Sequence, residues 1–105
     1  MSDGNMQPGQ RLRALAAESL AGYKGGTVSL RQLVDNLDVV WNGLERSGWS
    51  DEFREHWWTL EQVYSVALDR GELHPLPAEY LTAISEAVAG LETVLDSWPE
   101  NVTRS

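Results

Sequence analysis

Apolar residues recur every three or four positions along most of this chain, with polar residues between them, the spacing of helices that bury one face. From Gln10 to Tyr23 that face consists of Leu12, Leu15, Ala16, Ser19, Leu20 and Tyr23, while Arg11, Arg13 and Glu18 fall elsewhere. Gly25-Gly26 ends this first helix, which is predicted to be the shortest and to pack across the others. Ser29-Leu30-Arg31-Gln32 then forms a capping-box pattern: the Ser29 hydroxyl can accept from the third helical amide, and Gln32 can reach back.

A second helix is predicted from Leu30 to Arg46, with Leu30, Leu33, Val34, Leu37, Trp41 and Leu44 as its buried stripe. Gly48 stops it. Ser50 is expected to cap a third helix, in which Asp51 and Glu52 complement the positive end of the helix dipole. Its apolar face reads Phe53, Trp57, Leu60, Tyr64, Ala67 and Leu68, and Gly71 supplies a left-handed terminator after Arg70. After the loop His74-Pro75-Leu76-Pro77, Pro77 suits the first position of a fourth helix carrying Leu81, Ile84, Val88, Leu91, Leu95 and Trp98. Pro99 forces Trp98 out of helical geometry and ends it.

No strand alternation, hairpin signal or fixed-period repeat interrupts this pattern. The expected fold is therefore all-α, a compact antiparallel bundle of four helices. Residues 10–98 form the single domain, between a disordered N-terminal tail at 1–9 and a C-terminal tail at 99–105.

Composition narrows the function more than the fold. The 105 residues hold 42% hydrophobic side chains and five Trp, too apolar for a disordered chain, and one core is the expectation. Without Cys there is no disulfide frame or thiolate zinc site, and His56 and His74 are the two imidazoles available to a metal. No cofactor is expected. The first ten residues lack a signal-peptide pattern and no apolar run is long enough to span a membrane, so a cytoplasmic location is expected. Asn101-Val102-Thr103 matches a glycosylation sequon by chance.

Sixteen acidic residues against eight basic ones give a net charge of −8. Such a surface repels nucleic-acid phosphates and anionic lipid and attracts a basic partner, although acidity also serves plain solubility.

Catalytic patterns are absent from the sequence. Glu52 and His56 stand one turn apart and could share a proton or metal, but no second His joins them. Asp35 and Asp38 could act as an acid and base pair only if desolvated, which a solvent-facing helix side does not provide. No serine stands in a nucleophile elbow, and Gly25-Gly26 lacks the residues of a phosphate loop. An enzyme is not expected.

The surface is more informative. Asp35, Asp38, Asn42 and Glu45 follow at three- or four-residue steps on one side of the second helix, and Asp51, Glu52 and Glu55 come next in the chain. Together they are candidates for a continuous negative field; the alternative is an ordinary solvated face. Trp57 and Trp58 are adjacent and so point about 100° apart on a helix. Trp57 shares its face with Phe53, Leu60 and Tyr64 and belongs to the core. Trp58 has Arg54, Glu61, Gln62 and Ser65 as neighbours, a polar setting for a large ring and a candidate binding anchor. Its alternative is a ring lying over Arg54 or across a neighbouring helix. Trp49, before Ser50, is the second candidate; its alternative is a hydrophobic staple, for which the contact position is Arg54.

Two runs carry a family resemblance: Tyr23-x-x-Gly26-x-x-Ser29-Leu30-x-x-Leu33-Val34-x-x-Leu37, and Trp57-x-x-Leu60-Glu61-x-x-Tyr64-x-x-Ala67-Leu68. They resemble the small helical immunity proteins of bacterial contact-dependent growth inhibition and related toxin systems, over most of residues 20 to 95. The resemblance implies a cytoplasmic protein that binds and neutralises one cognate toxin domain, often a nuclease. A phosphate-gripping domain is basic, which agrees with the acidity read independently. The motif residues form the core, so the resemblance carries over no contact site, and Glu61 reads as a helix-pairing acid. The competing expectation is an acidic adaptor or self-associating bundle without a toxin partner.

Overall fold

Two serine caps set the starts of the middle helices. In the computed structural model, which describes residues 8–45, 47–71 and 76–99, the chain forms α1 (Pro8–Gly25), α2 (Leu30–Asn42), α3 (Gly48–Arg70) and α4 (Ala78–Asp96). The all-α architecture predicted from spacing is the one observed. Most of both predicted tails, and His74 with Pro75, lie outside the described residues.

The capping box at α2 is present in both directions: Gln32 N–H donates to Ser29 Oγ at 3.1 Å, and Ser29 N–H donates to Gln32 Oε1 at 3.0 Å. At α3 the cap differs from the expectation. Ser47, not Ser50, is the N-cap, and Ser50 occupies the third helical position, where its Oγ accepts from Ser47 N–H at 2.8 Å. Ser50 N–H donates to Ser47 Oγ in return, so two serines make a reciprocal box that usually uses Glu or Gln. Gly48, read as a terminator, is instead the first residue of the helix.

Boundaries elsewhere shift for physical reasons. Gly43 closes α2, its N–H donating to Val40 O, so the helix stops short of Arg46 and is the shortest of the four at 13 residues. The first helix has 18. Pro77 is the N-cap of α4 rather than its first helical residue, and the helix ends at Asp96. Gly71 takes the expected left-handed conformation at φ 67°.

Each helix packs on the next, and α1 also packs on α4, closing a ring. Cross-helix pairs give the directions. Asn36 meets Ser19 and Gly43 meets Leu12, Trp57 meets Val34 and Arg54 meets Trp41, Trp49 meets Val94 and His56 meets Gly90, and Arg13 meets Leu95 while Lys24 meets Glu92. Each pair climbs one helix as it descends the other, so all neighbours run antiparallel. Leu33, Leu37, Phe53, Leu60, Ile84 and Leu91 fill the centre, each fully buried or nearly so. Full burial of such a side chain contributes about 1.5–3 kcal/mol. The buried Ser19 hydroxyl, expected on the apolar face of α1, donates to Leu15 O at 2.7 Å and accepts from Asn36 at 3.0 Å, which satisfies it inside the α1–α2 seam.

Helix lengths are unequal. The 23 residues of α3 span about 35 Å and the 13 of α2 about 20 Å. Near its C-terminus α3 therefore outruns α2, and Leu68, expected inside, is 53% exposed. Leu81 on α4 is likewise 49% exposed.

Candidate protein-binding face

The α2–α3 seam places most of the residues that sequence reasoning singled out. Trp57 enters it from α3, its indole N–H donating to Val34 O at 3.0 Å. Trp41 enters from α2, and the Arg54 guanidinium lies over its ring, 5.6 Å from the centroid. This cation–π contact occupies the side chain that could have covered Trp58. Trp58 is 51% exposed.

The same two contacts fix the register of the antiparallel pair and bring Asp35 and Asp38 to the height of Glu55 and Trp58. Asp51, Glu55 and Trp58 lie within about 60° of one another on the exposed arc of α3. Asn42 continues the outer face of α2, and all these side chains are exposed.

Three of the predicted residues fall away from this face. Glu45 follows the end of α2 and sits in the connecting loop, so it does not extend the α2 stripe. Glu52 lies about 120° around α3 from Trp58, on the side nearer α4. Trp49 is no free anchor. Its indole N–H donates to Val94 O at 3.1 Å, and its ring packs edge-on against Trp98 at 4.9 Å and tilted against Phe53 at 6.2 Å. That position follows from the Ser47 cap, which puts Trp49 inside the first turn facing the end of α4 rather than in the preceding loop.

The field is also less purely negative than the sequence suggested. Arg31 Nε lies 3.9 Å from an Asp35 carboxylate oxygen, an exposed pair one turn apart on α2. Glu61 does not pair helices: it accepts from Gln62 and Ser65 of its own helix, each at 3.3 Å.

No family model, no curated protein and no solved structure matches the chain.

Sequence reasoning missed Val39, which is 56% exposed on the outer side of α2 beside Asp38. The signal was available: in Asp38-Val39-Val40-Trp41 only one valine can face inward, and Val40, seven residues after Leu33, takes that place. Among the described residues Trp58 therefore stands alone as the large apolar group among these carboxylates, since Val39 lies about 100° around α2 from Asp38, nearer the Asn36 side that meets α1. His56 does not join Glu52 in a site, since Glu52 is exposed while the imidazole packs against Gly90 of α4. Among the described residues no three His, Cys, Asp or Glu side chains cluster as metal ligands, and no helix is long and apolar enough to cross a membrane.

Proposed function

We propose that this protein is a stoichiometric inhibitor, an immunity protein whose outer α2–α3 face binds a basic toxin domain in the bacterial cytoplasm. The observation that carries the reading is Trp58, half exposed on a rigid helix with Asp51 and Glu55 on its own helix and Asp35 and Asp38 level with it on α2. A ring of that size, desolvated on binding, is the usual centre of an interface, and carboxylates around it steer a cationic partner into register. The resemblance of the Tyr23–Leu37 and Trp57–Leu68 runs to immunity proteins supports the same reading. Inhibition would come from covering the toxin's phosphate-gripping surface, which requires no chemistry by this chain.

The test is binding kinetics against the toxin domain encoded by the adjacent gene, at two salt concentrations. Reversal of Asp35 and Asp38 to Lys is expected to slow association and flatten its salt dependence, because exposed charges act through a field that salt screens. Trp58→Ala is expected to speed dissociation. Parent-like kinetics for both folded variants would reject this face.

One observation favours a second reading, an adaptor or self-associating module: Leu68 and Leu81 are both half exposed. Sedimentation of the isolated protein separates the two, since the inhibitor reading expects a monomer before its partner is added.

A further inference from the structure

The four helices pair off into two hairpins. Each hairpin turns at a glycine in the left-handed region: Gly26 at φ 86° between α1 and α2, and Gly71 at φ 67° after α3. Around Gly26 the amides of Thr27 and Val28 both donate to Gly22 O, at 2.8 and 3.1 Å. In the second hairpin the Arg70 guanidinium donates to the Tyr80 hydroxyl at 3.2 Å, tying the end of α3 to the start of α4. The helices within each hairpin also share the two densest seams.

The connection between the hairpins is built differently. Gly43, which ends α2, is right-handed at φ −90° and ψ −4°. The amides of Gly43 and Leu44 still donate three residues back, to Val40 O and Trp41 O, each at 3.0 Å. No described residue between α2 and α3 has a positive φ, so straightening the chain there requires no left-handed residue to flip. Charge divides along the same line. Residues 8–45 carry four basic and four acidic side chains, whereas residues 47–99 carry two and ten, so the net charge of −8 belongs to the second hairpin. A neutral hairpin meeting an acidic one suffers no like-charge repulsion across their shared surface.

We infer that at high concentration two copies of this chain exchange hairpins, the α1–α2 hairpin of each docking on the α3–α4 hairpin of the other, with the hinge at Gly43 to Glu45. A second copy needs no new complementarity, since every contact across the α2–α3 and α1–α4 seams is remade between chains. Those contacts include Trp57 with Val34, Arg13 with Leu95, and Lys24 with Glu92. Each outer α2–α3 face of the exchanged dimer takes Asp35 and Asp38 from one copy and Trp58 from the other. The exchange does not depend on the inhibitor reading. At dilution the monomer prevails, so sedimentation of the isolated protein still tests that reading.

The short connector holds each chain's own hairpins at an effective concentration of roughly millimolar, so exchange needs a comparable protein concentration. Lys24 is the one lysine of the sequence, and its ammonium lies 3.0 Å from a Glu92 carboxylate oxygen across the α1–α4 seam, which suits the pair to zero-length cross-linking. In the experiment, nitrogen-15-labelled and unlabelled full-length proteins are mixed in denaturant and refolded together at millimolar concentration. The dimer is isolated by size exclusion and treated with a carbodiimide, and the monomer fraction, in which the same link forms within one chain, is the reference. The expected result is a dimer that keeps double mass under denaturing conditions and whose Lys24–Glu92 cross-linked peptides include pairs with one heavy and one light half. Refolding to monomer alone would overturn the proposal. So would a dimer whose links join only halves of like isotope, the result for copies that meet side by side through Leu68 and Leu81.

Discussion

The imidazole of His56 occupies the space that a side chain on Gly90 would need: a Cβ on Gly90 would stand 2.6 Å from both ring nitrogens. Helix α3 and helix α4 approach each other there because Gly90 is bare. Glycine inside a helix costs about 1 kcal/mol relative to alanine, so its presence mid-helix is explained by this contact. Gly90→Ala is expected to destabilise the protein by about 1–3 kcal/mol despite the better helix former. The double variant with His56→Ala should recover most of that loss. Denaturant melts of the four proteins in the cycle measure it, and an additive result would show that the ring moves aside freely.

Trp57 and Trp58 should separate cleanly in the same assay. Trp57→Ala removes a packed ring and its hydrogen bond to Val34 and should cost about 3–5 kcal/mol. Trp58→Ala should stay within about 0.5 kcal/mol of the parent, since a half-exposed ring with polar neighbours loses little on truncation. A collapse of the Trp58 variant would mean that the ring supports the fold rather than a partner.

At the start of α3, Ser47→Ala should cost about 0.5–2 kcal/mol, the usual range for a lost N-cap. Ser50→Ala should also destabilise, because Ser50 is buried and its Oγ closes the box on Ser47 N–H. Thermal melts check both. An unchanged Ser47→Ala melt would return the cap to Ser50, where the sequence pattern first placed it.

Burial raises the ionisation of the Tyr23 phenol above its usual 10.0. Below pH 10 the phenol is protonated in both folded and unfolded chains and contributes no pH dependence. As pH rises past 10 the unfolded chain ionises first, so stability falls until the folded phenol also ionises. Tyr23→Phe should therefore show a shallower loss of stability above pH 10 than the parent. Parallel alkaline melting profiles for the two proteins would place Tyr23 in water.

The helices were legible because each carries its own periodicity and punctuation: Ser29 with Gln32, Gly71 after Arg70, and the Leu33–Leu37 stripe are local signals read without knowing the neighbours. What stayed hidden depended on relations between elements. Leu68 and Leu81 have flawless helical spacing, yet whether they are covered depends on how far α2 and α1 reach, and α2, antiparallel to α3, begins only at Leu30, short of the level of Leu68. Trp49 looked like a loop ring because the cap was placed three residues late; a Ser-x-x-Ser box is a weak signature beside Ser-x-x-Gln. On the candidate face, Trp58 against Trp57 was resolved by angle alone, while the Arg54–Trp41 contact that leaves Trp58 uncovered required the register of two helices.

The ring of helices is not closed evenly. Consecutive helices share the denser seams, and α1 meets α4 along the sparsest one. Local opening follows the least-buried route, and the α2–α3 and α1–α4 seams are the two sparsest, so the α1–α2 pair should part from the α3–α4 pair while each pair stays together. Amides lining those two seams should then exchange with deuterated solvent before those along the α3–α4 seam, and any molecule that bridges α1 to α4 should slow that exchange.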